Sequence, residues 1–270
     1  MTIKRSTWAL PYMVFLILFV ALPLVMITVY AFTDPGGGGI SLKNFVKFAN
    51  TAEDMHTFVY SIEIALITTV LCLLLGYPAA WILSRSDLNR SSVTVILFIL
   101  PMWINMLVRT LATVALFDFL KLPLGEGALL FGMVYNFLPF MIYPIYNTLS
   151  KMDGSYVEAA QDLGAPPSKV FTKVVLPLSM PGVWSGVLMV FMPTISTFAV
   201  AELLTLNKVK LFGTTIQENI NNGFWNYGSA LALIMLVLIG ITTMLTGEDN
   251  AREDETGGVK IGRASCRERV

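Results

Sequence analysis

Residues Tyr156–Leu178 read YVEAAQDLGAPPSKVFTKVVLPL, a charged stretch, interrupted by glycine and proline, between two apolar runs. Apolar residues fall at Tyr156, Ala159, Ala160 and Leu163, the i, i+3, i+4, i+7 spacing of an amphipathic helix, with Ser155, Glu158 and Asp162 on the other side. Gly164 follows where a left-handed glycine commonly ends a helix. The APPS sequence forbids simple continuation, because an interior proline loses a hydrogen bond and clashes with the preceding turn. Proline is tolerated in a first turn, so a second helix is expected there with Ser168 as its cap. Its apolar face is Val170, Phe171, Val174 and Val175, and Pro177 and Pro181 punctuate the approach to the next apolar run. Two short helices joined at a glycine hinge are therefore expected. A connector lying among lipid headgroups would also fit this pattern. The first helix has little large apolar area to bury in lipid, which favours a protein partner.

The surrounding chain sets the class. Of 270 residues, 55% are hydrophobic and 13% charged, and the mean hydropathy is +0.70. That is far more apolar than a soluble domain, at about 25% charged. Lys plus Arg equals Asp plus Glu, which gives no support for a nucleic-acid partner. Cys72 and Cys266 form neither a disulfide framework nor a metal-binding spacing, and Cys72 reads as a packing residue. With His56 as the single histidine, a histidine-based metal site or nucleophile triad has little to build on.

Six apolar segments approach the length needed to cross a hydrocarbon core: residues 8–32, 58–84, 92–117, 128–149, 181–204 and 229–246. The expected class is all-α, a polytopic membrane protein of about six transmembrane helices. The first segment is read as a retained anchor, since it exceeds the apolar part of a signal peptide and no cleavage pattern follows. Lys4, Arg5, Arg85, Arg90, Lys151, Lys169 and Lys173 lie on one side of this topology, and Lys43, Lys47, Lys121, Lys208 and Lys210 on the other. The bias predicts an N-in/C-in orientation with Tyr156–Leu178 in the cytoplasm. DPGGGG at 34–39 is a turning loop on the outer side. Residues 1–246 are expected to form one transmembrane domain, with the polar loop at about 150–178, followed by a polar tail over 247–270. The end of that tail, IGRASCRERV, reads as translated sequencing-adapter read-through rather than native protein.

The order Glu158-Ala159-Ala160, three residues, Gly164, nine residues, Val174, one residue, Leu176-Pro177 resembles the EAA loop of bacterial ABC-importer permeases, E-A-A-x3-G-x9-I-x-L-P. Only the Ile position departs, filled by Val174. LGYPAAWIL (75–83), LPMWINMLVRTLA (100–112) and VYNFLPFMIYPIYNTLSKMDGSYVEAAQDLGA (134–165) resemble the spermidine/putrescine subgroup, in particular its first permease subunit. The connection DFLKLPLGEGA (118–128) is shorter than that subgroup's pattern. The resemblance implies the type I importer permease architecture and a multi-pass location in the bacterial inner membrane. It implies half of a translocation pathway for polyamines, with ferric ion, thiamine or phosphonate as alternative cargoes of the same architecture. The implied partners are a second permease subunit, cytoplasmic ATPase subunits, an extracytoplasmic substrate-binding protein and the lipid bilayer. Glu158, Ala159, Ala160 and Gly164 would couple to the ATPase. No cofactor is expected in this chain, because it has no G-x-x-x-x-G-K-[ST] and ATP and Mg would be bound by the ATPase.

Ionisable residues inside spans are functional candidates by default. Glu63, Asp118 and Glu202 would suit an entry path for cations, although each also reads as a residue capping or snorkelling at a span end. Arg109 is placed to pair with Glu63. Asn105, Tyr135 and Asn136 offer uncharged hydrogen bonds deeper in the pathway, or bridges between helices. A channel leaves the EAA-like loop unexplained, and an intramembrane enzyme would need a catalytic constellation that the spans do not display.

Overall fold

The computed structural model describes residues 12–34, 39–85 and 92–264, with side chains described from 94 in the last segment and up to 244. Readings that rest on Lys4, Arg5, Trp8, Arg90, Cys266 and the glycines 36–38 lie outside the described residues. The described residues are mainly helical, with a single antiparallel bridge between Thr33 and Ile40 among them. With no water in the bilayer core, backbone groups must be satisfied within the segment, which helices achieve. Among the described residues eleven helices follow in order: α1 Tyr12–Ala31, α2 Lys43–Asn50, α3 Ala52–Ser84, α4 Ser92–Ile99 with a tight turn Leu100–Trp103, α5 Met106–Phe119, α6 Glu126–Lys151, α7 Ser155–Asp162, α8 Pro167–Ser196, α9 Ala199–Thr205, α10 Phe212–Asn221 and α11 Trp225–Ala264.

The core is α3, α6 and α8 packed on one another, with α9 laid against α6. Met133, Met141, Ile145, Cys72, Val190 and Leu204 are buried in it. Helices in lipid gain nothing from excluding water, so close backbone approach must hold them. Gly182 and Gly186 of α8 provide that approach: a Cβ on Gly182 would stand 2.5 Å from Thr148 Oγ1 and 2.9 Å from the Pro144 carbonyl oxygen, and one on Gly186 would stand 2.8 Å from Met141 Sδ. Gly76 of α3 meets the same Met141 side chain. A second cluster, Phe48, Ala65, Ile195, Phe212, Tyr227 and Leu231, joins α2, α3, α8, α10 and α11. Helix α1 packs along α11 and buries only Ala31. Span hydroxyls bond carbonyls one turn back, as Thr69, Thr110, Thr113 and Thr194 do.

Two expected spans are corrected. The third, 92–117, is not one helix: Thr94–Trp103 and Met106–Phe119 meet at 99°. Pro101 closes the first piece, Ile104 is extended, and Asn105 starts the second by accepting the Leu107 N–H at 2.8 Å. The fifth, read as 181–204, ends its helix at Ser196 and begins it at Pro167. The apolar run continues past Ser196 because α9 is itself buried through Val200, Ala201 and Leu204, so hydropathy does not register the break at Thr197. At the other end, Pro177 and Pro181 do not punctuate. A π-turn over Phe171–Val175, in which the Leu176 N–H reaches the Phe171 carbonyl, precedes Pro177, and the helix runs through. Helix α11 continues with helical backbone through the polar tail to Ala264.

The glycine contact yields a prediction. Gly182→Ala forces α8 off α6 at a backbone oxygen and should destabilise the chain by about 1–3 kcal/mol. Gly127→Ala, with nothing within 4 Å of the new Cβ, should be neutral or stabilise by up to about 1 kcal/mol. Thermal unfolding of both variants in detergent checks the contrast.

Candidate functional site: the polar knob and the buried arginine

Local chemistry shapes the segment around Glu158. Asp153 Oδ1 accepts the Ser155 N–H at 3.0 Å where α7 begins, and this backbone bond first, with Ser155's side chain second, holds the exposed Asp153 carboxyl below the usual carboxylate range. At the other end the Gly164 N–H bonds the Gln161 carbonyl at 2.8 Å and the Ala165 N–H bonds the Ala160 carbonyl at 3.1 Å. That pair of bonds is the Schellman stop, and Gly164 takes the left-handed conformation at φ +75°. The glycine predicted to end the helix therefore does so. The cap of the next helix is corrected: Pro166, extended at ψ 155°, holds the cap position and Pro167 the first turn, while Ser168 makes no capping bond.

The apolar face expected for the first helix divides between the core and the surface. Ala160 turns inward with Val157 and Ala165, packing on the core together with Phe171. Tyr156 is 57% exposed, Leu163 is 88% exposed, and Ala159 and Glu158 are exposed beside them. The inward neighbours come from α3: Phe171 meets Tyr77 and Trp81 edge-on, each at 5.7 Å between ring centroids. Trp81 is thus part of this seat. Tyr77 hydroxyl and Ser179 Oγ lie 2.9 Å apart and tie the seat to α8. The second short helix is not separate. It is the first turns of the 30-residue α8, so this half of the knob is continuous with a span, and Gly164 to Pro166 join α7 to it. A cleft of about 440 Å³ beside it is lined by Asn147, Lys151, Asp153, Tyr156 and Leu178 among others.

The seven candidate pathway residues divide. Arg109, Tyr135 and Asn136 come together: Arg109 is 5% exposed, its Nη2 donates to the Asn136 carbonyl at 3.3 Å, and its guanidinium stands 5.9 Å from the centre of the Tyr135 ring. Asn136, fully buried, donates to Thr110 Oγ1 at 3.2 Å. Thr110 was missed in the sequence, where nothing marks it out from other span threonines. Asn105 is occupied in capping α5. Glu63 and Asp118 are exposed and Glu202 half-buried, on α3, α5 and α9 respectively. No ion pair among the described residues joins any of these to Arg109. The expected Arg109–Glu63 pair is absent because α5 packs on α6 and α9 rather than on α3.

A further cleft of about 380 Å³ gathers residues that sequence distance concealed: Glu53, His56 and Tyr60 of α3, Glu126 of α6, and Lys208 and Lys210 after α9. His56 stacks parallel to Tyr60 at 6.2 Å, and Lys210 pairs with Glu218. Among the described residues no group of three or more His, Cys, Asp or Glu could hold a metal ion.

Comparison with known proteins places this geometry. The spermidine/putrescine transport system permease protein PotB of Escherichia coli K12 is 31% identical over 257 aligned positions, covering 85% of this chain and 92% of that one. PotB of Haemophilus influenzae is 32% identical over 249, covering 84% and 87%. Among solved structures, a bacterial ABC transporter involved in the import of the acidic polysaccharide alginate matches with a TM-score of 0.67 over 92% of this chain and 94% of that one, at 16% identity, a likeness of fold. The family model described as binding-protein-dependent transport system inner membrane component matches residues 3–247. With its apolar helices, exposed EAA knob and matched length, the chain belongs to that family of multi-pass inner membrane transport components.

Proposed function

We propose that this chain is a permease subunit of an ATP-driven importer of polyamines, forming half of the pathway opposite a second permease subunit. An extracytoplasmic binding protein delivers the cargo, and ATPase subunits bind on the cytoplasmic side, where the N-in/C-in orientation puts α7. One observation carries the reading: the E-A-A-x3-G segment forms a short helix whose outward ridge, Tyr156, Ala159 and Leu163 beside Glu158, is left uncovered. An exposed apolar ridge with a carboxylate is a surface for a protein socket. The names of the relatives, which transport spermidine and putrescine, support the cargo.

The chemistry of coupling follows from rigidity. Glu158 supplies the polar contact, Ala159 keeps the ridge low enough for close approach, Ala160 anchors the helix inward, and Gly164 sets the angle to α8. The 30 residues of α8 extend about 45 Å at 1.5 Å per residue, so a push on the knob reaches the far end of the span without a joint to absorb it. Glu63, Asp118 and Glu202 remain candidate pathway acids on three separate helices. ATP and Mg chemistry resides in the ATPase subunits.

Three outcomes are expected. Reconstituted with its partner permease, ATPase and binding protein, the chain should support ATP-dependent uptake of labelled spermidine or putrescine over thiamine and ferric ion; uptake of polyamine at background would remove the cargo. Glu158→Ala and Gly164→Val should lower ATPase co-purification and stimulated hydrolysis, the second because a β-branched residue resists φ +75°; full assembly in both would remove the coupling role. Asp153's bond supports the start of α7 fully above the ordinary carboxylate pKa of about 3.9 and is lost as pH falls through its lower folded value. Amide exchange at Ser155 should therefore accelerate only at pH below about 4, beyond the ordinary pH dependence of exchange, and Asp153→Ala should show the fast rate at every pH.

A further inference from the structure

Arg109 poses a problem that the isolated chain does not solve. It is a cation buried at 5% exposure, and its Nε and Nη1 donors have no hydrogen-bond partner among the described residues. The fully buried Asn136 beside it leaves its Oδ1 without a partner as well. A buried charge with no counter-ion, and with only its Nη2 group hydrogen-bonded, to the Asn136 carbonyl, is unfavourable. Arg109 lines a cavity of about 200 Å³ with Ala112, Thr113, Leu116, Phe131 and Tyr135. The rim is apolar and open, and Tyr135, over the guanidinium, is 43% exposed.

The occupant is limited by charge and depth. Polyamine cargo is cationic and is repelled by a guanidinium. Arg109 lies ten residues before the end of α5 at Phe119, about 15 Å along the helix, in a cavity lined mostly by apolar side chains, which favours a group presented by a protein over a lipid phosphate. Ionisable residues inside membranes face protein or a water-filled cavity and pair there. We propose that the α5–α6 face around Arg109 meets the second permease subunit, and that a carboxylate of that subunit enters this cavity and pairs with Arg109. Tyr135 swings aside to admit it. The pair neutralises a cation that would otherwise oppose amines in the pathway and fixes the register of the two subunits. The proposal rests on the reading of the chain as one of two permease subunits and uses the cationic cargo only to exclude the cargo as the occupant; the cross-link tests the pair directly.

The test uses the assembled transporter in lipid nanodiscs. With Arg109 intact, Tyr135→Cys is combined with single cysteines replacing each intramembrane Asp or Glu of the partner permease, and disulfide-linked heterodimer is read on gels. One partner position should cross-link well above the rest. Arg109→Gln should weaken recovery of the partner permease by about tenfold, neutralising that partner acid should do the same, and the double variant should lose no more. If no partner acid cross-links in an assembled complex, the proposal falls. It also falls if Tyr135→Cys cross-links two copies of this chain, or if only anionic lipid restores the stability lost in Arg109→Gln. Failure of the wild-type chain to recover any partner permease would instead overturn the permease-pair reading, and failed polyamine uptake only the cargo.

Discussion

The close approach of α6 and α8 at Gly182 and Gly186 governs the arrangement of everything else. In lipid there is no hydrophobic drive to bring helices together, so van der Waals contact between backbones must supply the attraction, and only small residues permit it. Thr148, Pro144 and Met141 of α6 fill the space those glycines leave, and Gly76 brings α3 onto the same Met141. Once these three helices are fixed, the start of α8 has one place to lie, with Phe171 between Tyr77 and Trp81. The orientation of the α7 knob is then decided from within the membrane.

The departures from regular helix satisfy their backbone groups in different ways, by a local cap at the exposed Asn105 and against the frame at the buried Thr197. At Asn105 the chain turns by 99°, and the new helix begins with its own side-chain cap. At Thr197 the span stops, α9 folds onto α6 at Gly132, and α10 begins with the Phe212 N–H donating to Ser61 Oγ of α3 at 2.7 Å. Gly213 allows the start of α10 to lie against the Ser196 carbonyl, bringing the positive end of one helix to the negative end of another. Broken backbone at membrane depth is tolerated where protein covers it, as it does at Thr197. The same half-helix that starts at Asn105 carries Arg109 to the edge of the bundle, where its charge lacks an internal partner.

What was legible in the sequence was local. The stop at Gly164 follows from a glycine ahead of two prolines, and the Schellman bonds need nothing beyond their own turn. The inward face of α7 was not legible, because Tyr156, Ala159 and Leu163 fit helical spacing as well as Val157 and Ala160 do, and only the neighbouring Phe171 selects the second set. The third and fifth spans were misjudged for a related reason. Hydropathy reports burial, and a buried half-helix is as apolar as a spanning one.

The sequence by itself determined that this is an all-helical membrane protein and, through the spacing from Glu158 to Pro177, that it carries the E-A-A-x3-G loop pattern of importer permeases. The first follows from composition, the second from resemblance to a family motif, and the helix stop within that loop from bonds closed within a few residues. The tertiary structure alone decided which side of the knob stays uncovered, that α7 leads through Pro167 into one continuous span, and that Arg109 stands apart from Glu63. Those outcomes depend on which helices touch, and contact among helices in lipid is set by the glycine surfaces of distant segments rather than by the pattern within any one of them.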